Sequence, residues 1–469
     1  MIRRAMGWAA ISALCGAGLL LSNSIAMADD APLDQAAVAD SMMKAAEAFH
    51  SLSYQGAHVD SYSVDLQTRY DGRHGTRRAF PDDEPDWVET EPPTGGWIGR
   101  TLLRAYRVTG EDRYLEMAEE IADALAMIQT ESGGWPSRAR LSQPPGPGVA
   151  SDLDDNRSQS TIRFFVELVA AGADERHREV MQRGLDFLME AQYPSGGWPQ
   201  YYPPAEDQNN YRRYHTINDA TIPDCMRTLM VAYRAFGNED YLDAVIRAAD
   251  WLLEVRLPGA AWAQQYYDDF VSGPLIPNHP APARWFEPMA ITAGESGSVI
   301  SILTEVWLET GDERYIEPFD EVVEWYERSR LEDGRWARFY ALHTNRPLYC
   351  TPDRIITYSD ENLRPGYAWK GAWGDGVIRT VQRVNELGRE AILAEREAVP
   401  TDEQLRARSE RAAQAIEAMD ERGFWPRERW TGAVTDEDDT RIWASDFNNQ
   451  MNALCAYLEA LEQRGELDD

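Results

Sequence analysis

The sequence predicts an all-α protein folded as an α/α toroid, a closed or incomplete ring of helical hairpins. Apolar residues recur at three- and four-residue steps almost throughout, strand-like alternation is scarce, and one long unit is repeated along the chain. The unit is clearest in "TGEDRYLEMAEEIADALAMIQTESGGWP". There a Thr-Gly pair ends one helix, acidic residues open the next, and the Gly133–Gly134 turn stops it. Three further stretches align with it: "GADERHREVMQRGLDFLMEAQYPSGGWP", "FGNEDYLDAVIRAADWLLEVRLPGAAW" and "TGDERYIEPFDEVVEWYERSRLEDGRW". In all four, an aromatic residue or histidine precedes the tryptophan by the same 21 residues: Tyr114/Trp135, His177/Trp198, Tyr241/Trp262 and Tyr315/Trp336.

Each unit is preceded by another apolar helix: "WIGRTLLRAYRV", "STIRFFVELVAA", "DCMRTLMVAYRAF" and "SVISILTEVWLE". The order is therefore inner helix, short turn, outer helix and tryptophan-bearing loop. A weaker fifth copy, "DEQLRARSERAAQAIEAMDERGFWP", follows the helix "DGVIRTVQRVNEL". A helix over 32–51 and the C-terminal "DFNNQMNALCAYLEALEQ" supply further pieces. Units of about 65 residues exceed the 20–50-residue periods of open solenoids and suit concentric helices, whose loops gather at one end into a cleft. The recurrent tryptophans then either plug the rim of the ring or line that cleft.

Composition narrows the function. Arg3 and Arg4 precede an apolar run that closes with "SIAMADD", so residues 1–28 read as a secretory signal peptide and 29–469 as one toroid domain, secreted or periplasmic. The 16 tryptophans and 21 tyrosines point to carbohydrate contact, although many such rings belong to the core. Cys225, Cys350 and Cys455 show no metal spacing, and the seven histidines form no zinc-type pair. A formal charge of −33 argues against nucleic acid and anionic membranes as partners. An acidic polymer would have to meet a local cationic patch or a divalent cation. A monomer is expected.

The run "FLMEAQYPSGGWPQYYP", followed by "YHTINDATI", resembles the pectate lyase (pectic acid lyase) family, polysaccharide lyase family ten. "QTESGGWP", "SDLDDNRSQSTIRFF", "ARWFEP", "AGESGSV", "WARFYALHTNRPLYC" and "GYAW" are similar to further family motifs in the same order, over roughly residues 126–373. The flanks 29–125 and 374–469 then read as additional hairpins. The resemblance implies calcium-assisted β-elimination on polygalacturonate or a related polyuronate. In that reaction a base takes the proton α to a uronate carboxylate, cations neutralise the developing enolate, and the C4–O bond then breaks to leave a double bond and a free sugar hydroxyl.

Residue by residue, the resemblance implies a calcium site of Asp154, Asp155 and Asp219. Sliding the first pair by one gives Asp155 and Asn156, and the gapless register is preferred. Oxygen-rich carboxylate ligation suits calcium. An aspartate just before "STIRFF" or "ATIPD" is, however, also an ordinary helix cap. Arg284, Arg338 and Arg346 match motif positions suited to forked carboxylate binding, and Arg364 matches a family arginine nearby. Each could equally pair with one of the 79 acidic residues. Trp198, Tyr201 and Tyr202 are expected to stack on sugar rings.

Three departures stand out. The family's proton-abstracting arginine falls on Pro352. Either Arg354, two residues on, takes its place, with Arg338 as the second catalytic arginine, or the base is lost. Tyr267 replaces a family acid beside Asp268, and Ser137–Arg138 replaces a Lys-Asn pair. Two alternatives therefore stay open: an α/α-toroid hydrolase using two carboxylates such as Asp155, Asp219 or Glu295, and a non-catalytic polyuronate-binding protein.

Overall fold

A computed structural model describes residues 33–72, 79–428 and 440–467. The expected signal peptide, 1–28, lies outside them. Twelve α-helices dominate the described residues. Helices α1 (Gln35–His50), α2 (Gly95–Thr109), α3 (Asp112–Met127), α4 (Arg157–Ala170), α5 (Glu175–Ala191) and α6 (Thr221–Phe236) form the first half. Helices α7 (Glu239–Glu254), α8 (Ala293–Thr310), α9 (Phe319–Ser329), α10 (Trp373–Glu397), α11 (Asp402–Glu417) and α12 (Ala444–Arg464) complete it. The even-numbered helices pack side by side as an inner series, α12–α2–α4–α6–α8–α10. The odd-numbered helices α3, α5, α7, α9 and α11 each back an inner one. This is the α/α toroid expected from the repeat, and the flanking helices α1–α3 and α11–α12 belong to the same ring.

The turns explain the repeated sequence. Gly110, Gly237 and Gly311 end α2, α6 and α8 in the left-handed conformation, which a residue without Cβ adopts freely. Asn238 and Asp312 follow directly and accept backbone N–H bonds from Asp240 and Arg314, opening the outer layer. At the other end of each outer helix the tryptophan ring folds back. Its Nε1–H donates to the carbonyl ten residues earlier: Trp135 to Leu125, Trp198 to Leu188, Trp262 to Leu252, Trp336 to Tyr326 and Trp425 to Ala415, all at 2.7–2.8 Å. Each acceptor lies in the last turn of its helix, where carbonyls lack intrahelical partners.

The preceding glycines make this possible. Gly196 has φ +123°, and an added Cβ would lie 2.4 Å from the Arg247 carbonyl oxygen of α7. A Cβ on Gly197 would lie equally close to His215. The Gly-Gly-Trp element is therefore a helix stop that locks onto the next hairpin.

Beyond these stops the loops join their neighbours through short antiparallel pairs. Trp87–Glu89 meets Arg138–Arg140, Ser151–Asp152 meets Tyr201–Tyr202, and His215–Thr216 meets Gln265–Tyr266. Ile291–Thr292 meets Phe339–Tyr340, and Ser61–Ser63 meets Thr440–Trp443. Inside the ring, adjacent inner helices exchange ion pairs, among them Arg104–Glu459, Arg100–Glu167, Arg227–Glu305 and Arg234–Glu309.

Candidate functional site

Two matched turns start α4 and α6. Asp155 and Asn156 (φ 48° and 62°) and Asp219 and Ala220 (φ 49° and 58°) all occupy the left-handed region, which is unfavourable for residues with a side chain. Neither α4 nor α6 receives a side-chain cap at its first turn, so capping does not account for these aspartates. Instead the turns face one another, and carboxylate oxygens of Asp154, Asp155 and Asp219 lie within 4.8 Å of each other. Asn156 Oδ1 accepts from Arg163 Nη2 at 2.7 Å.

Three converging carboxylates repel unless a cation lies between them. Asp219 feels this strongly although part of it faces solvent. Lost hydration, then the charges of Asp155, Asp154 and Glu295, push its carboxyl up to about 7, and Arg338 opposes them. Asp154 Oδ1 is buried without a hydrogen-bond partner. A hard, oxygen-only donor set with an orphaned oxygen fits calcium. Beneath it, Arg157 is a buried brace that the sequence reading missed. It binds Asp152, Asp155 and Glu91 at 2.7–2.9 Å. Burial raises the Asp152 carboxyl to about 7 against the pull of Arg157. The signal in sequence was one arginine closing the acidic run "SDLDDNR".

Arg338 stands beside this cluster, at the bend between the strands Trp336–Ala337 and Phe339–Tyr340, and its backbone is held on both sides. Its N–H donates to the Trp369 carbonyl at 2.8 Å, and its own carbonyl accepts from Ala293 at 3.1 Å. The guanidinium donates to Glu295 Oε1 at 3.1 Å and to the Ala368 carbonyl at 3.1 Å. It also lies over Tyr367 and Trp373. Burial favours its neutral form, but Glu295, Tyr367, Asp219 and Glu287 outweigh that, so it is held more firmly as a cation.

The other arginines form a strip leading away. Arg284 is tied to buried Glu287, which also accepts from the Tyr367 hydroxyl at 2.8 Å. Arg364 lies over Phe286, 4.1 Å from its ring centre, and Arg354 lies over Trp285 at 4.9 Å. Arg346 stacks on Tyr358 at 3.8 Å. Arg354, expected as the base, thus rests against Trp285, whereas the charges acting most on Asp219 are Asp155, Asp154, Glu295 and Arg338.

Two expectations are corrected, and the departure at position 267 is clarified. Trp198 is fully buried and caps α5, so it offers no face to a sugar. Tyr202 points to the outer layer, where its hydroxyl donates to Glu190 of α5 at 2.9 Å. Its strand neighbour Tyr201 faces the other way, bonds Asp152 and lies under Arg212. Asp268 is fully buried and gripped by Arg213 at 2.8 Å, so it does not replace the family acid at position 267. Arg138, in the third departure, pairs with Asp71 and lies over Phe80 and Trp87.

Fold and site define an α/α-toroid protein whose loop end gathers an acid cluster flanked by arginines. The family model described as pectic acid lyase matches residues 137–232 and 331–378, so the segments carrying the three aspartates and Arg338 are pectate lyase-like. A search of curated protein sequences gave no match. Among solved structures, a mutant family 10 polysaccharide lyase from Cellvibrio cellulosa in complex with trigalaturonic acid is similar at 21% identity. That match covers 61% of this chain and 98% of the lyase, with a TM-score of 0.48. An unsaturated glucuronyl hydrolase specific for heparin matches at 13% identity over 92% of this chain and 99% of its own, TM-score 0.45. A family 76 glycoside hydrolase (mannosidase) from Bacteroides thetaiotaomicron matches at 14% identity over 91% and 99%, TM-score 0.48.

Proposed function

We propose that this protein is an exported polysaccharide lyase that cleaves polygalacturonate or a related polyuronate by calcium-assisted β-elimination. The observation that carries this reading is the convergence of Asp154, Asp155 and Asp219 next to Arg338, a guanidinium kept cationic by its acidic neighbours. The three aspartates would hold the calcium, which supplies Lewis-acid charge neutralisation at the uronate carboxylate. Arg338, fixed by its backbone and by Glu295, presents a second cation to the same carboxylate as enolate charge develops. Arg284, anchored on Glu287, orients a neighbouring carboxylate, and Tyr201 borders the cluster through Asp152. The acidic surface and the polyanionic substrate are reconciled by this local concentration of cations.

Incubation with polygalacturonate and calcium tests the reading. Products with a new double bond, absorbing in the near ultraviolet and suppressed by chelator, are expected. New reducing ends without that absorbance would instead mark a hydrolase using carboxylates such as Asp155, Asp219 or Glu295. Binding without any product would mark a carbohydrate-binding protein.

A further inference from the structure

We propose that Trp285, Arg354 and Arg364 form a distal subsite that grips the carboxylate of a non-reacting uronate, so that the protein prefers long chains. The proposal rests on the polyuronate reading above and assigns Arg354 a binding role in place of base.

Trp285 is 46% exposed, a high value for an indole, and both Arg354 and Arg364 lie against it, at 4.9 and 5.6 Å from its ring. Among the described residues neither arginine is ion-paired, whereas Arg284 and Arg338 are tied to Glu287 and Glu295. Arg364 Nη1 donates to the adjacent Pro365 carbonyl at 3.3 Å, and in a chain with 79 acidic and 46 basic residues two guanidinium groups without a carboxylate partner are available to an outside anion. Stacking uses the flat face of a guanidinium and leaves its N–H edge free to fork a carboxylate.

Arg354 is also placed by a constrained turn. Its φ is +64°, its N–H donates to the Thr351 carbonyl at 3.1 Å, and Thr351 in turn donates to the Ile355 carbonyl at 3.0 Å. A non-glycine residue stays in this conformation only where its surroundings hold it, so the position of the Arg354 backbone is fixed by the turn.

Geometry separates this locus from the acid cluster. Trp285 contacts Phe286, Phe286 contacts Tyr367, and Tyr367 lies under Arg338, with ring-centre distances of 5.1 and 5.0 Å and a guanidinium distance of 4.9 Å. The aromatic strip therefore joins the two places, with Arg354 at the Trp285 end and Arg338 at the Tyr367 end. A chain whose reacting sugar sits at Asp219 and Arg338 would run along the strip and meet Arg354 and Arg364 with a later carboxylate.

The test compares Trp285→Ala, Arg354→Gln and the double change Arg354→Gln with Arg364→Gln on polygalacturonate and on dimer- to hexamer-length oligogalacturonates. Direct binding of polygalacturonate is followed in parallel by affinity electrophoresis. The double change should raise KM for the polymer about tenfold with kcat within twofold. The penalty should shrink as the oligomer becomes too short to reach Trp285, and Trp285→Phe should restore part of the loss. Polymer KM and binding equal to the parent protein would overturn the subsite while leaving the lyase reading intact. Loss of kcat at every chain length would also overturn it, and would return Arg354 to the chemistry. A parent protein that neither binds nor cleaves any polyuronate would remove both the subsite and the reading it rests on.

Discussion

Glu295 Oε1 lies 3.1 Å from Arg338 Nη1, and this buried pair stands next to Asp219 without joining the three-aspartate cluster. The carboxylate fixes the guanidinium in space and reinforces its charge, so Arg338 is ready to receive a second, external carboxylate. Arg338→Lys keeps the charge but removes the planar fork. It should lower kcat/KM on polygalacturonate by at least 100-fold, and Arg338→Gln by more. Glu295→Gln should cost less than either, because Arg338 retains its backbone and aromatic anchors.

The aspartate cluster makes a prediction that does not depend on turnover. Replacing Asp219 by Asn relieves repulsion and should raise the melting temperature measured in chelator, by the equivalent of roughly 1 kcal/mol, whereas Asp155→Asn weakens the ion pair with Arg157 and should not. Calcium at 100 times its dissociation constant should stabilise the parent protein by about 2.7 kcal/mol, and either variant should lose most of that gain. Thermal melts with and without calcium decide both. Equal melts across all samples would argue against a metal at these aspartates.

Trp198 belongs to the framework. Trp198→Phe removes the bond to the Leu188 carbonyl and should destabilise by about 1 kcal/mol, whereas Trp198→Ala should cost about 3–5 kcal/mol through the cavity it leaves. Activity of the folded Trp198→Phe protein should match the parent. Denaturant unfolding and a specific-activity assay check the two halves separately.

His58 sets an acid limit. It is stacked on Phe49, lies near His50 and bonds the Tyr62 hydroxyl. Burial first, then the His50 charge, depress it to about 3. An unfolded histidine titrates near 6.5, so below that pH the unfolded chain binds a proton the folded chain refuses. The His58 contribution is therefore complete above pH 6.5 and is lost as the pH falls toward 3, to a total of roughly 5 kcal/mol. His58→Phe should flatten the slope of stability against pH between 4 and 6 in urea melts.

The ring was legible in the sequence because its signals are local. Apolar spacing, a glycine at the end of each inner helix and a capping Asn or Asp lie within a few residues of one another, as at Gly237–Asn238. The aspartates were legible as ligands only through the family resemblance, not from their own spacing. A residue before a helix reads as a cap until the backbone conformation at Asp155 and Asp219 is known. Trp198 misled because buried and sugar-facing tryptophans look alike in a string, and only the bond to Leu188 separates them. Arg354 and Trp285 could not be paired from sequence, since their contact joins two loops distant along the chain. Arg157 was passed over for a related reason: amid so many acids, a structural brace and a random charge look the same.

Because each indole latches its own outer helix before the loop begins, the end of that helix is closed by its own residues and not by the loop that follows. Segments such as 263–290 and 341–368 can then change residues between their anchor points, which include Gln265–Tyr266 against His215–Thr216 and Asn278 and Asn345, which accept from Trp251 of α7 and Trp325 of α9. The same wheel of helices can therefore be refitted for a different sugar acid by exchanging one loop at a time, with the aspartate turns at α4 and α6 as the fixed hub.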